Sequence, residues 1–223
     1  TVMANGQAVD DILGIHRRNP ELGIGVHLNA SNFKALTVAM QQSALCDDDG
    51  IFHLDFRSRF RLSHRRILTE EWVAQLQLVR QMGVLVDHLD SHHHVHTWPW
   101  VWPVLRDVAK RTGLSWVRNT RNLVPTNEQK GMRAFMKYAG KHAWSTVNSQ
   151  CGLRMTPQFC SVADVMHLPE MPKIKVALEL MCHPGDPSNA EYVAEIAWLE
   201  SGLKDWLGER AVLANYGALV GTW

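Results

Sequence analysis

Val84-Leu85-Val86-Asp87-His88-Leu89-Asp90-Ser91-His92-His93-His94-Val95-His96 is the stretch on which the fold turns. Its first half is a short apolar run with the length of a buried strand, and its second half is dense in imidazole. Five of the chain's 12 histidines and two aspartates fall between Val86 and His96. Cores are not built this way, whereas imidazole both ligates divalent metals and transfers protons near neutrality. The stretch therefore predicts a metal-dependent hydrolytic site at the C-terminal end of a strand.

Upstream, Thr69-Glu70-Glu71 precedes Trp72, Leu76, Val79 and Met82, which recur on one helical face before Gly83. Thr69 is expected to cap this helix, with Glu70 and Glu71 against its dipole and Gly83 as its stop. Downstream, a helix is predicted from about Trp100 to Thr112, ended by Gly113, and Ser115-Trp116-Val117-Arg118 reads as the next strand. Strand, helix, strand at this spacing is a βαβ unit, so the sheet should be mostly parallel.

Nearer the N-terminus, residues 8–16 have helical spacing until Asn19-Pro20. Residues 22–28 form an apolar strand ending in His27, whose glycines are expected to admit neighbouring backbone. Residues 30–68 read as an excursion beyond that strand, and the basic run at 57–66 as a solvated face. A helix is expected somewhere within 128–148, in an otherwise loop-rich region. Residues 175–183 form another strand ending on histidine, His183. Ser188 and Glu191 then suit a capping box for a helix bearing Ile196, Leu199, Leu203 and Trp206, stopped by Gly208. Residues 211–214 are a candidate last strand.

Length and charge bound the function. A chain of 223 residues suits one α/β domain, and 23 basic against 22 acidic side chains leave no field to gather nucleic acid or anionic lipid. No run approaches the roughly 18 apolar residues of a membrane span. Cysteines 46, 151, 160 and 182 lack close C-x-x-C spacing and suit a reducing cytoplasm.

Three predicted strands thus finish on histidine: His27, the 88–96 cluster and His183. Parallel α/β folds gather strand C-termini on one face, so the three are expected to converge. His27 and one histidine of the cluster can supply two metal ligands, and Asp90 a third ligand or the carboxylate that orients one. In an extended segment residues 92, 94 and 96 would point to one side and 93 to the other. Trp98, Trp100 and Trp102 can stack on sugar faces or simply pack locally.

Four segments in order carry a resemblance: Asn5-Gly6-Gln7-Ala8-Val9-Asp10, Gly25-Val26-His27-Leu28, His88 through His96, and Glu179-Leu180-Met181-Cys182-His183-Pro184-Gly185. Together they resemble the YdjC-like carbohydrate deacetylases, including chitooligosaccharide deacetylase and a hopanoid-associated type. The resemblance implies a (β/α)-barrel-like, TIM-like fold, incomplete or distorted, over a single domain spanning 1–223. It implies removal of N-acetyl groups from amino sugars or chitooligosaccharides with a divalent ion, Mg²⁺ or Zn²⁺. By the resemblance His27 and His92 would be metal ligands; read from the residues themselves, His183 is the expected acid with His94 or His96 as runner-up, Asp90 is also catalytic, and His94, His96 and Trp98 are candidates to touch substrate. The family's Asp-Asp-Phe-Gly motif, which supplies an acidic ligand and the base, precedes the Asn-Gly-Gln-Ala segment and is absent from these residues. The expectation is an N-terminally truncated chain, cytoplasmic, that covers exposed strand edges by forming a homodimer. The alternatives are a catalytically impaired sugar-binding or regulatory homologue, and a different metal-dependent amidohydrolase.

Overall fold

The computed structural model describes residues 1–120, 132–168, 176–183, 185, 187–208 and 212–219. The chain divides into two compact units, the first built from residues 1–118, 147–154 and 214 onward, the second from 119–146 and 155–213.

In the first unit, a short 3₁₀ turn leads into α1 (Ile12–Arg18), which stops at Asn19, and the chain enters β1 (Ile24–Leu28). Two single-turn helices follow, α2 (Val38–Gln41) and α3 (Phe56–Arg59), within the irregular excursion. Then come α4 (Arg65–Gln81), β2 (Val86–Ser91) and α5 (Trp102–Thr112). Helix α4 packs on β1 and α5 because its helical period places Leu68, Trp72, Leu76 and Val79 on one wholly buried stripe. Helix α5 answers with Val104, Leu105 and Val108, and ends where Gly113 takes the left-handed conformation at φ 72°.

Strands β1 and β2 pair in parallel, with His27 opposite Asp90 and Leu28 opposite Ser91. Val2 lies along the other side of β1: its amide donates to the Gly25 carbonyl at 2.8 Å and its carbonyl accepts from the His27 amide at 2.7 Å. Beyond β2, single parallel bridges join Leu89 to Val117 and Trp116 to Arg154. The strand expected at 115–118 is therefore a short run of bridges. Five chain segments lie side by side in sequence order and all parallel, so their C-terminal ends share one edge.

The second unit holds α6 (Met132–Gln150), whose last residues belong to the first unit, and the parallel pair β3 (Gln158–Ser161) and β4 (Leu178–Met181). Helix α7 (Val162–Val165) follows β3, capped by Ser161, which exchanges hydrogen bonds with Asp164. Helices α8 (Ala190–Ser201) and α9 (Leu203–Leu207) follow β4. Among the described residues the architecture is thus α/β with parallel strands in two small sheets. Among the described residues no helix is long and apolar enough to cross a membrane.

Several local expectations are corrected. Helix α4 begins at Arg65, so Thr69 lies inside it and donates to the Arg65 carbonyl. Glu71 turns inward, because the amides of Leu36 and Thr37 and the Thr37 hydroxyl need an acceptor there, at 2.8–2.9 Å. Asn189, not Ser188, caps α8, accepting from the amides of Glu191 and Tyr192. The helix expected through Trp206 breaks at Gly202. Val212 to Ala214 form no ladder, and Ala211 lies outside the described residues, as do Lys175, Pro184 and Asp186. Gly23 and Gly25 make room for side chains rather than backbone: Asp87 and Asn215 crowd the first, and the His88 ring lies against the second.

Candidate active site

The β1–β2 register explains the centre of the site. Opposite residues on parallel strands share a face, so His27 and Asp90 meet, with Nδ1 2.7 Å from Oδ1. Asp90 is fully buried, and its other oxygen, Oδ2, lies 2.5 Å from Nη1 of Arg118 and accepts from the Thr1 hydroxyl at 3.3 Å. Burial alone would push the carboxyl up. The Arg118 guanidinium, with the His27 ring and its hydrogen bond, outweighs it and holds Asp90 well below the usual carboxylate range. An ionised carboxylate only accepts, so the His27 atom facing it is an N–H.

The next residue layer fixes the end of β1. The Asn29 amide donates to Gln75 Oε1, while Trp72 Nε1 and Gln75 Nε2 both donate to the Asn29 carbonyl. The Asn29 side chain reaches Asn5 and the carbonyl of Asn32. Asn5 of the Asn-Gly-Gln-Ala segment is thus tied to the strand that carries His27.

After Ser91 the chain does not stay extended. His93 and His94 take left-handed backbone at φ 52° and 51°, folding 92–97 into a 3₁₀-like turn. The expected alternation of 92, 94 and 96 against 93 therefore fails. Instead His92 and His93 lie side by side, ring centres 3.9 Å apart, and His92 meets His27 edge-on at 5.6 Å. His93 is exposed and its Nδ1 lies 3.1 Å from the Ser31 hydroxyl.

His96 is wholly buried. Its Nδ1 accepts from Ser91 Oγ at 2.6 Å, its amide donates back to that oxygen, and its Nε2 donates to the Arg118 carbonyl at 3.2 Å. Burial, with His94 nearby, pushes its pKa down to about 3, so it is a neutral buckle across the turn. With both nitrogens engaged inside the fold, His96 offers a substrate nothing, which corrects its expected contact role. His94 is half-buried, its ring 6.3 Å from that of His96. Trp98 packs edge-on against Phe56 and Phe60, at 6.3 and 5.7 Å, the local-packing alternative. A cleft of about 300 Å³ opens beside His93, walled by Leu54, Phe56 and Val95 and rimmed by Ser31 and Arg57.

His183 belongs to the second unit, two residues past β4. Its amide donates to Oε2 of Glu195, a nearly fully buried carboxylate, at 2.7 Å, and its ring stacks on Tyr192 with centres 4.8 Å apart. Its side chain remains 44% exposed. Expectation missed Arg118, Asn29, Gln75 and Glu195. Arg118 had a signal: like the histidines, it ends a predicted strand.

Among the described residues no three His, Cys, Asp or Glu side chains assemble as a metal-holding group. The His27 and His92 pair nonetheless suits one ion. Imidazoles bonded at about 2.1 Å in tetrahedral geometry have ring centres about 5 Å apart, close to the separation found. Carboxylate support of one ligand's far nitrogen is also what such sites use.

The parallel α/β architecture thus sets a carboxylate-backed histidine and a second histidine at adjoining strand ends. The chain belongs to the YdjC-like family, whose model, described as YdjC-like protein, matches residues 1–216. A carbohydrate deacetylase of Halalkalibacterium halodurans is 34% identical over 119 residues, 51% of this chain and 48% of that protein. One from Vibrio cholerae serotype O1 is 34% identical over 113 residues, 50% of this chain and 43% of that protein. The chain thus spans about half the length of the curated relatives it matches. A crystal structure from Enterococcus faecalis V583, described as that of a proposed cellobiose-phosphate cleavage protein, superposes with a TM-score of 0.73 at 20% identity. It covers 97% of this chain and 85% of its own, which establishes likeness of fold.

Proposed function

We propose that this chain carries part of a metal-dependent carbohydrate deacetylase, one that removes N-acetyl groups from amino sugars or chitooligosaccharides. The observation that carries the reading is His27, held through Nδ1 by Asp90 with His92 beside it. His27 and His92 would hold a divalent ion, Mg²⁺ or Zn²⁺, which when bound acidifies water and polarises an amide carbonyl. Asp90, itself paired with Arg118, orients His27 rather than touching substrate. The cleft beside His93, with apolar walls and a polar rim, suits a sugar ring. His183, ring exposed and backbone anchored on Glu195, would hold the proton that the departing amine needs. The reading includes a (β/α)-barrel-like fold for the parallel segments, and a cytoplasmic homodimer, which a monomer in sedimentation would exclude.

The test is acetate release from N-acetylglucosamine oligomers, with added zinc or magnesium, by a version of the protein carrying the family's acidic motif. No release would end the substrate assignment. One observation favours a second reading, a sugar-binding homologue without catalysis: no carboxylate joins the histidine pair as a third ligand among the described residues. Tight stoichiometric metal in the purified chain would count against that alternative.

A further inference from the structure

Arg118 stands between two parts of the site that the histidine pattern alone does not connect. Its amide donates to the Leu89 carbonyl at 2.9 Å, which sets it beside β2 one residue from Asp90. Its carbonyl accepts from Nε2 of His96, and the Ser91 hydroxyl locks that ring in turn. Both backbone groups are thus fixed. The side chain, only 12% exposed, closes on Oδ2 of Asp90 at 2.5 Å.

The consequence runs through Asp90 to His27. A buried carboxylate that kept only the His27 ring and the Thr1 hydroxyl could rotate. Held at Oδ2 by a guanidinium as well, it is fixed in orientation. Oδ1 is left as a fixed acceptor facing Nδ1 of His27 at 2.7 Å. A neutral imidazole carries one proton, so a proton on Nδ1 leaves a bare lone pair on Nε2.

We propose that Arg118 is a positioning residue which, by clamping Asp90, fixes His27 in the tautomer with its proton on Nδ1 and its lone pair on Nε2. Arg118 touches no reacting atom in this role. It presets the nitrogen of His27 that is free to bind an ion. The link to metal rests on the reading of His27 as a ligand; the tautomer does not.

Both links can be measured in the full chain. Long-range ¹H–¹⁵N correlation spectra of histidine-labelled protein report the tautomer of His27, its signals assigned by their loss in His27→Gln. The expected result is the Nδ1–H form in the unaltered chain. Arg118→Met should then give a mixed or Nε2–H form, with cobalt(II) affinity, read from visible absorption, weaker by about 10–100-fold. Arg118→Lys, which offers Asp90 a point charge in place of a fork, should fall between. An Nε2–H form in the unaltered chain overturns the proposal, as does an Arg118→Met spectrum in which His27 is unchanged. If the Met variant does not fold, by circular dichroism, the Lys variant decides: partial loss supports the role and an unchanged His27 overturns it. Failure of cobalt(II) to bind the unaltered chain, with the tautomer still dependent on Arg118, would sink the metal reading and leave the positioning role standing. Equal cobalt(II) affinity in all three proteins with an unmoved tautomer would do the reverse.

Discussion

Gly25→Ala tests how β1 is held two residues before His27. A Cβ at Gly25 would meet Nε2, Cε1 and Cδ2 of His88, the last at 2.6 Å, against ordinary carbon contacts of about 3.5–4.0 Å. The ring has nowhere to retreat. Its far face stacks on Tyr216 with centres 4.2 Å apart, and its Nδ1 lies 2.5 Å from Oδ1 of Asp87. Roughly 1 Å must therefore come from moving β1 or breaking the stack, and overpacking on that scale costs about 2–3 kcal/mol. For a protein of this size the melting temperature should fall by about 5–10 °C. Urea denaturation of Gly25→Ala, His88→Ala and the double variant measures the coupling. Once the ring is gone the new methyl has space, so the double variant should be no less stable than His88→Ala. The reasoning is refuted if Gly25→Ala lies within about 0.5 kcal/mol of the parent, or if the two losses simply add.

Three further outcomes are expected. Glu71→Ala strips the acceptor from the amides of Leu36 and Thr37 and from Gln75 Nε2, and should cost about 3 kcal/mol, read as a lower urea midpoint at unchanged slope. His96, with a folded pKa about 3 against an ordinary 6.5, leaves the unfolded chain binding more protons between those values. Its contribution is whole above pH 6.5 and is lost on acidification at up to about 1.4 kcal/mol per pH unit, so His96→Asn should flatten stability between pH 6.5 and 4.5. Asp90, depressed from 3.8, contributes in full above that value and loses its share only at lower pH, outside this window. Burial pushes the Cys46 and Cys160 thiols up to about 12, while Cys151 is exposed. A thiol reagent at pH 8 should therefore label Cys151 first, and peptide mapping that finds Cys46 or Cys160 labelled equally fast would contradict the packing.

The elements that were legible in the sequence are those whose physics is local. The helical stripe of α4, the apolar run into His27 and the glycine stop after α5 each follow from neighbours within a few residues. The strand-end histidines were legible for the same reason, and His27 does meet the cluster. What could not be read depends on partners far along the chain. Thr69 and Glu71 have the spacing of a helix start, yet Glu71 is claimed by amides some 35 residues earlier. Arg118 looks like one more polar strand end until Asp90 is beside it. The turn at His93 and His94 escaped because left-handed backbone at two successive non-glycine residues has no local signal; a hydroxyl from Ser31 and the buckle at His96 enforce it.

The first unit is discontinuous along the chain, and this governs the order in which it can be completed during synthesis. Its early residues make the β1–β2 pair and most of the α4 and α5 interface. The ladder beyond Val117 needs Arg154, whose amide donates to Ser115. The outer face of His88 waits longer, for Tyr216, and Asn215 closes onto the Glu21 carbonyl across nearly the whole chain at 2.9 Å. A ribosome-bound chain stopped short of residue 215 would thus carry His27, His92, Asp90 and Arg118 with one side of the His88 ring uncovered. The last rivets of the histidine-bearing unit thus emerge long after the strands they close.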